Sequence, residues 1–273
     1  MIEDYELIDS GDGRKLERFG KYTLARPCSQ ALWRPTLGKS AWQRADAAFD
    51  REDGNRWHGR NNLPKEWRIE TAGIRFKLGG TDFGHLGIFP EQRSQWKWLR
   101  ENVKPGSKVL NLFAYSGGST LACALGGAEV CHLDASKGMV EWARNNAAIN
   151  NLASHPIRWI VDDAHKFMRR EIRREHRYDA IILDPPTFGR GAGGEMYKIE
   201  RDLSETLSLV KALLSERPIF VLFSSHTPGL SPHVSENILS QLFPKARVES
   251  GEMLLEGKAL SCPSGVYARA VFR

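Results

Sequence analysis

The chain has 273 residues, of which 41% are hydrophobic and 26% are charged, and its net charge of +6 permits a polyanionic partner such as RNA. No apolar run approaches the ~20 residues of a membrane span, and the acidic first residues lack the pattern of a secretory signal, so we expect a cytoplasmic protein. The four cysteines show no C-x-x-C spacing, which argues against a zinc site or a disulfide scaffold and fits a reducing compartment.

Residues 1–80 have the pattern of a small β-rich domain. Polarity alternates along the first strands, and the turn residues from Ser10 to Gly13 are typical of a hairpin. Residues 50–64 are polar and rich in glycine and asparagine, which predicts a loop. Two further short strands are predicted after it, joined at Gly79-Gly80. We therefore expect a small N-terminal domain followed by a larger domain over residues 81–273.

From about Lys104 the sequence alternates between buried β-strands and amphipathic helices. Parallel strands need crossover connections, so this alternation predicts an α/β, Rossmann-like fold with a mostly parallel sheet covered on both faces. A strand pair at the C-terminus is expected to close the sheet as an antiparallel hairpin. The predicted strands cover residues 108–114, 129–134, 157–163, 178–184 and 218–225, and the predicted helices cover residues 117–128, 136–151, 164–174, 200–215 and 231–242.

Four consecutive predicted strands end in glycine or in acidic residues. The first ends before Gly117-Gly118, where the backbone can approach a ligand closely. The second ends at Asp134, which is suited to accept both hydroxyls of a ribose. The third ends at Asp162 to Ala164, whose polar groups suit an adenine edge, and the fourth ends at Asp184. Each feature also fits an ordinary turn or helix cap, but their order and spacing predict one crevice for an adenosine-type cofactor.

The turn after the first of these strands, FAYSGGST at residues 113–120, bears on the choice of cofactor. A dinucleotide site needs a G-x-G-x-x-G turn that holds a pyrophosphate on a helix N-terminus, and this turn lacks that spacing. S-adenosylmethionine has no phosphate and needs an adenine edge, a ribose site and room for a charged amino-acid tail. We therefore expect S-adenosylmethionine as the cofactor, and a nicotinamide oxidoreductase is disfavoured.

Residues 110–136, 162–168 and 183–191 resemble the bacterial 23S rRNA large-subunit methyltransferases of the class I, S-adenosylmethionine-dependent group. That family includes 5-methylcytosine and 7-methylguanine enzymes, and LGIFPEQR at residues 86–93 is similar to its lead-in segment. The resemblance covers roughly residues 84–230. It implies a class I methyltransferase fold with a seven-stranded sheet, S-adenosylmethionine as the cofactor, and an RNA substrate, ribosomal RNA in particular.

The resemblance also implies roles for single residues. The turn after the first strand would surround the methionine end of the cofactor, and Asp134 would bind the ribose. Asp163 and Ala164 would bind the adenine, while Asp184 would face the methyl group. A departure lies at Pro90 to Gln92, where relatives more often have Leu-Asp-His. The residues expected to bind the cofactor are Gln92, Arg93, Phe113, Ala114, Tyr115, Ser116, Gly117, Asp134, Ala135, Ser136, Asp163, Ala164 and Asp184.

The stretch LDPPTFGRG carries the residues that we expect to be catalytic, Asp184, Pro185, Pro186 and Phe188. Methyl transfer is an in-line displacement, so the enzyme chiefly positions the nucleophile and supports the shift of charge. Asp184 would accept hydrogen bonds from an amine or a ring nitrogen, and the two prolines would leave backbone carbonyls exposed. Phe188 would either stack on a flat base or pack beneath a loop, since Thr187 separates it from the prolines.

The residues after the fifth strand bear on which atom is methylated. The family's 5-methylcytosine members carry a cysteine there, in F-S-C-S, because methylation at C5 needs a thiolate that adds to C6. This chain has Phe223-Ser224-Ser225-His226 instead, and Cys262 is expected to be a small buried side chain. We therefore disfavour cytosine C5 and favour a nitrogen or oxygen acceptor. His226 would be either a base or a hydrogen-bonded structural residue.

Three further features concern the substrate. The glycine-rich loop at residues 189–198 suits a lid over the site or an ordinary flexible loop. The arginine-rich helix at residues 165–177 has glutamates at helical spacing and is expected to be a solvated face. Basic residues of the N-terminal domain suit an RNA surface if the aromatics among them do not belong to the core; they are Arg14, Lys15, Arg18, Lys21, Arg26 and Arg34, with Tyr22 and Trp33.

Two alternatives to an RNA methyltransferase stay open from the sequence. One is an enzyme of the same chemistry that acts on a protein or on a small molecule. The other is a nucleotide-binding RNA adaptor without turnover.

Overall fold

The computed structural model describes residues 3–191 and 194–272. The chain divides into two compact units. The β unit comprises Met1–Ser94 with Met253–Ser264, and the α/β unit comprises Gln95–Glu252 with Gly265–Arg273. Within the described ranges, no helix is both long and apolar enough to cross a membrane.

The β unit consists mainly of short strands. Its elements are β1 (Tyr5–Gly11), β2 (Arg14–Phe19), β3 (Tyr22–Pro27), α1 (Lys39–Gln43), β4 (Ala47–Asp50), β5 (Arg56–His58), β6 (Trp67–Thr71) and β7 (Ile74–Leu78), with single 3-10 turns at Arg60–Asn62 and Pro90–Gln92. Strands β1 to β5 form one sheet in chain order, antiparallel except for the parallel pair β3 and β4. Leu7, Phe19 and Phe49 are buried in this unit, because alternate residues of a strand point to the same face.

The hairpin of β6 and β7 corrects one prediction from the sequence. The two strands are joined at Ala72 and Gly73, not at Gly79-Gly80. Both turn residues have positive φ, 52° and 70°, which gives a two-residue turn the twist of its flanking strands. Alanine rarely adopts this conformation, so Ala72 carries no turn signal. The predicted loop at residues 50–64 likewise contains the short strand β5.

A buried glutamate engages several basic side chains of the β unit. Glu17 is fully buried, and its carboxylate accepts hydrogen bonds from the Tyr5 hydroxyl at 2.9 Å and from Arg26 Nε at 2.9 Å. Lys15 Nζ lies 3.3 Å from Glu17 Oε1. Two more basic residues pair with carboxylates of the same unit: Arg14 with Asp50, and Arg18 with Glu6. Most of the basic set that the sequence suggested for RNA binding therefore serves internal ion pairs.

The α/β unit contains a seven-stranded sheet and the helices that cover it. Its elements, counting those that extend into the β unit, are α2 (Arg93–Asn102), β8 (Lys108–Leu112), α3 (Gly118–Leu125), β9 (Glu129–Asp134), α4 (Lys137–Ile149), β10 (Ile157–Val161), α5 (Ala164–Arg173), β11 (Ala180–Leu183), β12 (Phe188–Arg190), β13 (Met196–Lys198), α6 (Ile199–Leu213), β14 (Phe220–Ser225), α7 (Pro232–Leu242), β15 (Arg247–Leu255) and β16 (Cys262–Val271).

The order of strands in this sheet is β10-β9-β8-β11-β14-β16-β15. The first five are parallel to one another, and β16 is antiparallel to β14. The predicted α/β, Rossmann-like fold with a mostly parallel seven-stranded sheet is confirmed. Gly118 of α3 packs against Trp96 of α2: a Cβ added at Gly118 would lie 2.6 Å from the Trp96 ring, so this contact depends on glycine.

A row of polar side chains is buried among β8, α3 and β9. Asn111 Nδ2 donates to Thr120 Oγ1 at 2.9 Å, and Thr120 Oγ1 lies 2.9 Å from His132 Nδ1. The threonine hydroxyl thus links the Asn111 amide to the His132 ring. Burial, aided by the positive charge of Arg144, lowers the pKa of His132 to about 3. The imidazole is therefore neutral.

Helix α5 is not the wholly solvated face that the sequence predicted, because Glu171 is fully buried. Its carboxylate accepts hydrogen bonds from Arg158 Nη1 at 2.9 Å and from the Tyr178 hydroxyl at 2.6 Å, and it lies 3.0 Å from His176 Nδ1. Burial alone would raise the pKa of Glu171, but these hydrogen bonds outweigh it and lower the pKa to about 2. Glu171 thus anchors α5 to side chains that lie outside the helix.

We expect Glu171→Ala to destabilise the protein by about 3 kcal/mol, since Tyr178 and Arg158 lose their common acceptor. The folded-state pKa lies below the ordinary 4.5, so this contribution is complete above pH 4.5 and is lost as the pH falls towards 2. Chemical denaturation between about pH 3 and 7 measures both effects.

The matched control is Glu141→Ala, on the exposed face of α4, which should change the free energy of unfolding by less than about 0.5 kcal/mol. A Glu171→Ala protein as stable as this control at neutral pH would contradict the buried network.

Candidate active site

The carboxyl ends of the five parallel strands are aligned by their pairing register. Leu112 of β8 pairs with Leu133 of β9 and with Leu183 of β11. The outer strands β10 and β14 continue this register through Ile160 and Phe223. The residues that follow lie side by side along one edge of the sheet, about 5 Å apart from strand to strand. They are Phe113 to Gly117, Asp134, Asp162 to Ala164, Asp184 and Ser224 to His226.

The chain switches direction across the sheet at this carboxyl edge. After β8 it adds β9 and β10 on one side, and then β11 and β14 on the other. Such a switch point leaves a crevice beyond the two central strands, where open α/β sheets bind ligands. The turn after β8 and Asp184 after β11 flank this crevice. The structure thus brings the predicted acidic residues to one edge, while their contacts with a cofactor stay predictions.

The turn from Phe113 to Gly117 has an unusual backbone. Phe113, Tyr115 and Gly117 have positive φ, at 55°, 50° and 91°, a conformation that costs about 1–3 kcal/mol for residues other than glycine. Asn146 Nδ2 of α4 holds the turn by donating to Ser116 O at 2.9 Å. Strain that the surrounding structure maintains is common at ligand sites. Ala114 and Ser116 themselves are buried within the turn.

Asp134 ends β9 and supports the same turn. Its Oδ2 accepts a hydrogen bond from Tyr115 N at 2.9 Å, and its Oδ1 accepts one from Ser136 N at 2.8 Å. Burial raises the pKa of Asp134, and the two amide hydrogen bonds act in the opposite direction. Ser136 is the cap of α4, so Asp134 and the half-buried Ala135 precede the cap. Each oxygen of Asp134 keeps a further acceptor position, which suits two adjacent ribose hydroxyls.

Asp163 has the ordinary role of a helix cap at the end of β10. Its Oδ1 accepts a hydrogen bond from Lys166 N at 2.9 Å, and this caps α5. Its own amide donates to Asp162 Oδ1 at 2.9 Å, and Asp162 also contacts the Arg170 guanidinium. The groups suited to an adenine edge are Asp163 Oδ2 and the amide of Ala164, which is among the first helical N–H groups without an intrahelical acceptor.

Asp184 lies beside a histidine of the neighbouring strand. Asp184 Oδ1 is 3.5 Å from His226 Nδ1, and the two side chains are 27% and 32% exposed. A second contact joins the same loops, since Thr187 Oγ1 is 2.8 Å from Thr227 Oγ1. A carboxylate next to an imidazole orients the ring. The arrangement provides an acceptor and a proton carrier side by side.

Phe188 is exposed rather than packed beneath a loop. It begins β12, one residue after the double-proline turn, and 54% of the residue is accessible to solvent. Pro185 is buried and Pro186 is half-buried. The ring is therefore available to stack on a flat substrate.

The predicted lid at residues 189–198 contains a β-hairpin. Phe188 pairs with Lys198, and Arg190 pairs with Met196, while residues 192 and 193 lie outside the described residues. The ring of Tyr197 in this hairpin is 5.3 Å from the ring of Phe113. Burial raises the pKa of Tyr197 to about 12. The hairpin thus covers one side of the strained turn.

Tyr197 was not among the residues predicted from the sequence. Its hydroxyl oxygen is 3.2 Å from Thr206 Oγ1, which also lies 2.8 Å from His165 Nε2. The sequence does contain a signal for it. After the glycine-rich loop, Met196, Tyr197 and Lys198 alternate in polarity, which is typical of a short strand.

Gln92 and Arg93 belong to the β unit. Gln92 is buried at the 3-10 turn before α2. Arg93 forms an ion pair with Glu3 at 3.1 Å, and its guanidinium lies over the Tyr5 ring at 4.7 Å. Their predicted contact with the cofactor stays a prediction.

A parallel sheet with one antiparallel strand near its end, and acidic residues after the central strands, is the architecture of class I methyltransferases. The family model of S-adenosylmethionine-dependent methyltransferases matches residues 29–218. The chain therefore belongs to the S-adenosylmethionine-dependent methyltransferases. The predicted family, its class of enzyme and its cofactor are confirmed.

Solved structures agree with this assignment. The S-adenosylmethionine-dependent methyltransferase of Agrobacterium tumefaciens is 36% identical with a TM-score of 0.93, and the match covers 99% of this chain and 91% of that one. A methyltransferase from Streptococcus mutans and the methyltransferase SMU.776, solved with S-adenosylhomocysteine, are each 19% identical with a TM-score of 0.77, over 99% of this chain and 76% of theirs. At that identity the last two support the fold alone.

Curated relatives share part of the chain. The ribosomal RNA large subunit methyltransferase K/L of Pseudoalteromonas translucida is 31% identical over 163 residues, which is 59% of this chain and 22% of the relative. The enzyme of that name from Shewanella pealeana is 35% identical over 145 residues, which is 52% of this chain and 20% of the relative. The chain spans about a fifth of the length of these relatives.

We expect Asp134→Asn to weaken the binding of S-adenosylmethionine by about 10- to 100-fold, because the amide replaces one charged acceptor with a donor. Isothermal titration calorimetry measures the loss. An analogue without the two ribose hydroxyls separates direct binding of the ribose from support of the turn. If Asp134 binds the ribose directly, the variant should bind this analogue as well as the unmodified protein does. An equal loss of affinity for the analogue would mean that Asp134 acts only through the turn.

Proposed function

We propose that this protein transfers the methyl group of S-adenosylmethionine to a nitrogen of an RNA base, with ribosomal RNA as the substrate. Support comes from the family of the chain and from its curated relatives, which are named ribosomal RNA large subunit methyltransferases K/L. The observation that carries the choice of atom is the pair of Asp184 and His226, 3.5 Å apart, with serine and not cysteine at position 225.

The residues of the carboxyl edge fit S-adenosylmethionine. Asp134 would hold the ribose, Asp163 would hold the adenine, and the turn before α3 would hold the methionine end. A Cβ added at Gly117 would lie 3.0 Å from Ala143 Cβ, so close approach of the backbone there depends on glycine. When bound, S-adenosylmethionine supplies an electrophilic methyl group on a sulfonium. Asp184, His226 and Phe188 would act on the base that receives the methyl group.

An acceptor nitrogen that carries hydrogen must lose a proton when it gains a methyl group. Asp184 would accept a hydrogen bond from that N–H and so aim the nitrogen at the methyl group. His226, oriented by Asp184, would take the proton and release it to solvent, since a third of its side chain is exposed. The exposed ring of Phe188 would stack on the base.

Methylation at cytosine C5 is disfavoured by the thiols of the α/β unit. Cys123 and Cys131 are buried, and burial raises the pKa of Cys131 to about 11 and that of Cys123 further. Ser225, where the thiolate would be needed, is buried, and its Oγ accepts a hydrogen bond from Thr227 N at 3.1 Å. A serine in this setting is a weak nucleophile.

Recognition of RNA by residues 1–80 is part of the same proposal. Arg34, Lys39 and Arg44 are exposed on the segment between β3 and β4, and Leu32 on that segment is 85% exposed. Positive side chains attract phosphates, and an exposed apolar side chain can contact a base. Arg34 belongs to the basic set suggested by the sequence, whereas Lys15 and Arg26 of that set bind Glu17.

We expect labelled methyl groups to pass to the ribosomal RNA of a cell extract and not to its protein or small-molecule fraction. Asp184→Asn should lower kcat by at least ~100-fold, because the acceptor loses its orientation. The same variant should bind S-adenosylmethionine within about tenfold of the unmodified protein. Filter binding of labelled RNA and calorimetry measure these quantities.

The control for Asp184 is Glu200→Gln, an exposed position at the start of α6, which should leave kcat unchanged. Label found only in protein or small molecules would refute the RNA substrate, and no transfer at all would favour the adaptor. Normal turnover by Asp184→Asn would remove the assigned role of that carboxylate.

We expect Phe188→Ala to raise the KM for RNA by about 10-fold or more without changing the affinity for S-adenosylmethionine, since base stacking contributes about 1–3 kcal/mol. Phe188→Tyr keeps the ring and should restore the KM. Steady-state kinetics with RNA as the varied substrate test this. Equal KM values for the alanine and tyrosine variants would exclude stacking.

A further inference from the structure

Two cysteines that are distant in sequence meet in the β unit. Cys28 and Cys262 are separated by 234 residues, yet their Sγ atoms are 3.1 Å apart. This is only about 1 Å longer than the ~2.05 Å bond of a disulfide. Both are free thiols. The spacing of the cysteines in the sequence gives no sign of this pair.

The two thiols differ in their access to solvent. Cys28 follows β3 and is half-buried, whereas Cys262 begins β16 and is fully buried. A reagent from solvent therefore reaches Cys28 first. Cys262 is placed to react only with its neighbour.

The two thiols also differ in acidity. The hydrogen bond from Cys262, the positive charge of Lys15 and the Gln30 amide stabilise the Cys28 thiolate. Together they outweigh burial and the nearby carboxylate of Glu17, and they lower the pKa of Cys28 to about 7. The contact with Cys28 and burial raise the pKa of Cys262. Cys28 is thus the nucleophile, and Cys262 remains a protonated partner.

We propose that Cys28 and Cys262 form a redox modification site, in which oxidation of Cys28 by a peroxide leads to a reversible disulfide between the two residues.

The reaction has two steps. The Cys28 thiolate attacks one oxygen of hydrogen peroxide; a sulfur–oxygen bond forms, the oxygen–oxygen bond breaks, and hydroxide leaves to become water. Cys28 is then a sulfenic acid. The Cys262 sulfur attacks the Cys28 sulfur; the disulfide forms, the sulfur–oxygen bond breaks, and the second oxygen leaves as water with the proton of Cys262. Two thiols lose two electrons, and one peroxide becomes two waters.

The disulfide would close a loop over most of the chain. Such a cross-link restricts the unfolded state strongly, so the oxidised protein should unfold at a temperature higher by about 5 °C or more. A dithiol reductant would reverse the change.

The test uses the full chain and hydrogen peroxide near neutral pH. Peptide mapping without reductant should find a linked pair of peptides that contain Cys28 and Cys262, two hydrogens lighter than the separate peptides. The variant Cys28→Ser should give neither the link nor the thermal shift. Cys262→Ser should stop at the sulfenic acid of Cys28, which dimedone labels.

Cys123→Ser and Cys131→Ser are the matched controls and should form the link normally, because those thiols are buried and their pKa values are raised. Alkylation of Cys28 should be half-maximal near pH 7. Cys28 that alkylates no faster than Cys123 or Cys131 in the folded protein, or oxidation without the link, would overturn the proposal. The readouts are masses and an unfolding temperature, so failure of methyl transfer has no bearing on them.

Discussion

The hydrogen bond from the Tyr115 amide to the Asp134 carboxylate connects the ends of β8 and β9, and the candidate site depends on it. Residues in a left-handed conformation keep it only where neighbouring groups hold them there. Asp134 holds this turn from one side and Asn146 from the other. The carboxylate that shapes the turn also offers acceptors to a ribose. Asp134 would therefore both maintain the turn and bind the ribose of the cofactor.

Much of the α/β unit could be predicted because its signals are local. Strand β9 occupies residues 129–134 as predicted, and α5 begins at Ala164 after its cap Asp163. The predicted strand at residues 108–114 ends earlier, at Leu112, because Phe113 turns into the left-handed region. No local pattern announces that conformation in a phenylalanine. The acidic residues were visible in the sequence because each directly follows a strand pattern. Their common edge then follows from the parallel pairing of the strands.

Other features depend on contacts between distant segments and left no local trace. Glu171 has the spacing of a solvated helix face, and its burial is made favourable by hydrogen bonds with distant residues such as Tyr178 and Arg158. The same holds for Tyr197, whose ring packs at a tilt against that of Phe113, more than eighty residues away in the sequence. Residues 253–264 share the compact β unit with the N-terminal residues, and this cannot be seen from composition or periodicity.

The neutral imidazole of His132 limits how the protein withstands acid. In the unfolded chain this ring has an ordinary pKa near 6.5, whereas in the fold it stays uncharged down to about pH 3. Between those values the unfolded chain binds the extra proton, so acidification below 6.5 favours unfolding. The layer between β8 and β9 is thus a weak point in acid. In an acidic compartment the strands beneath the crevice would therefore be destabilised, even if the groups on the surface of the crevice were unaffected by the pH.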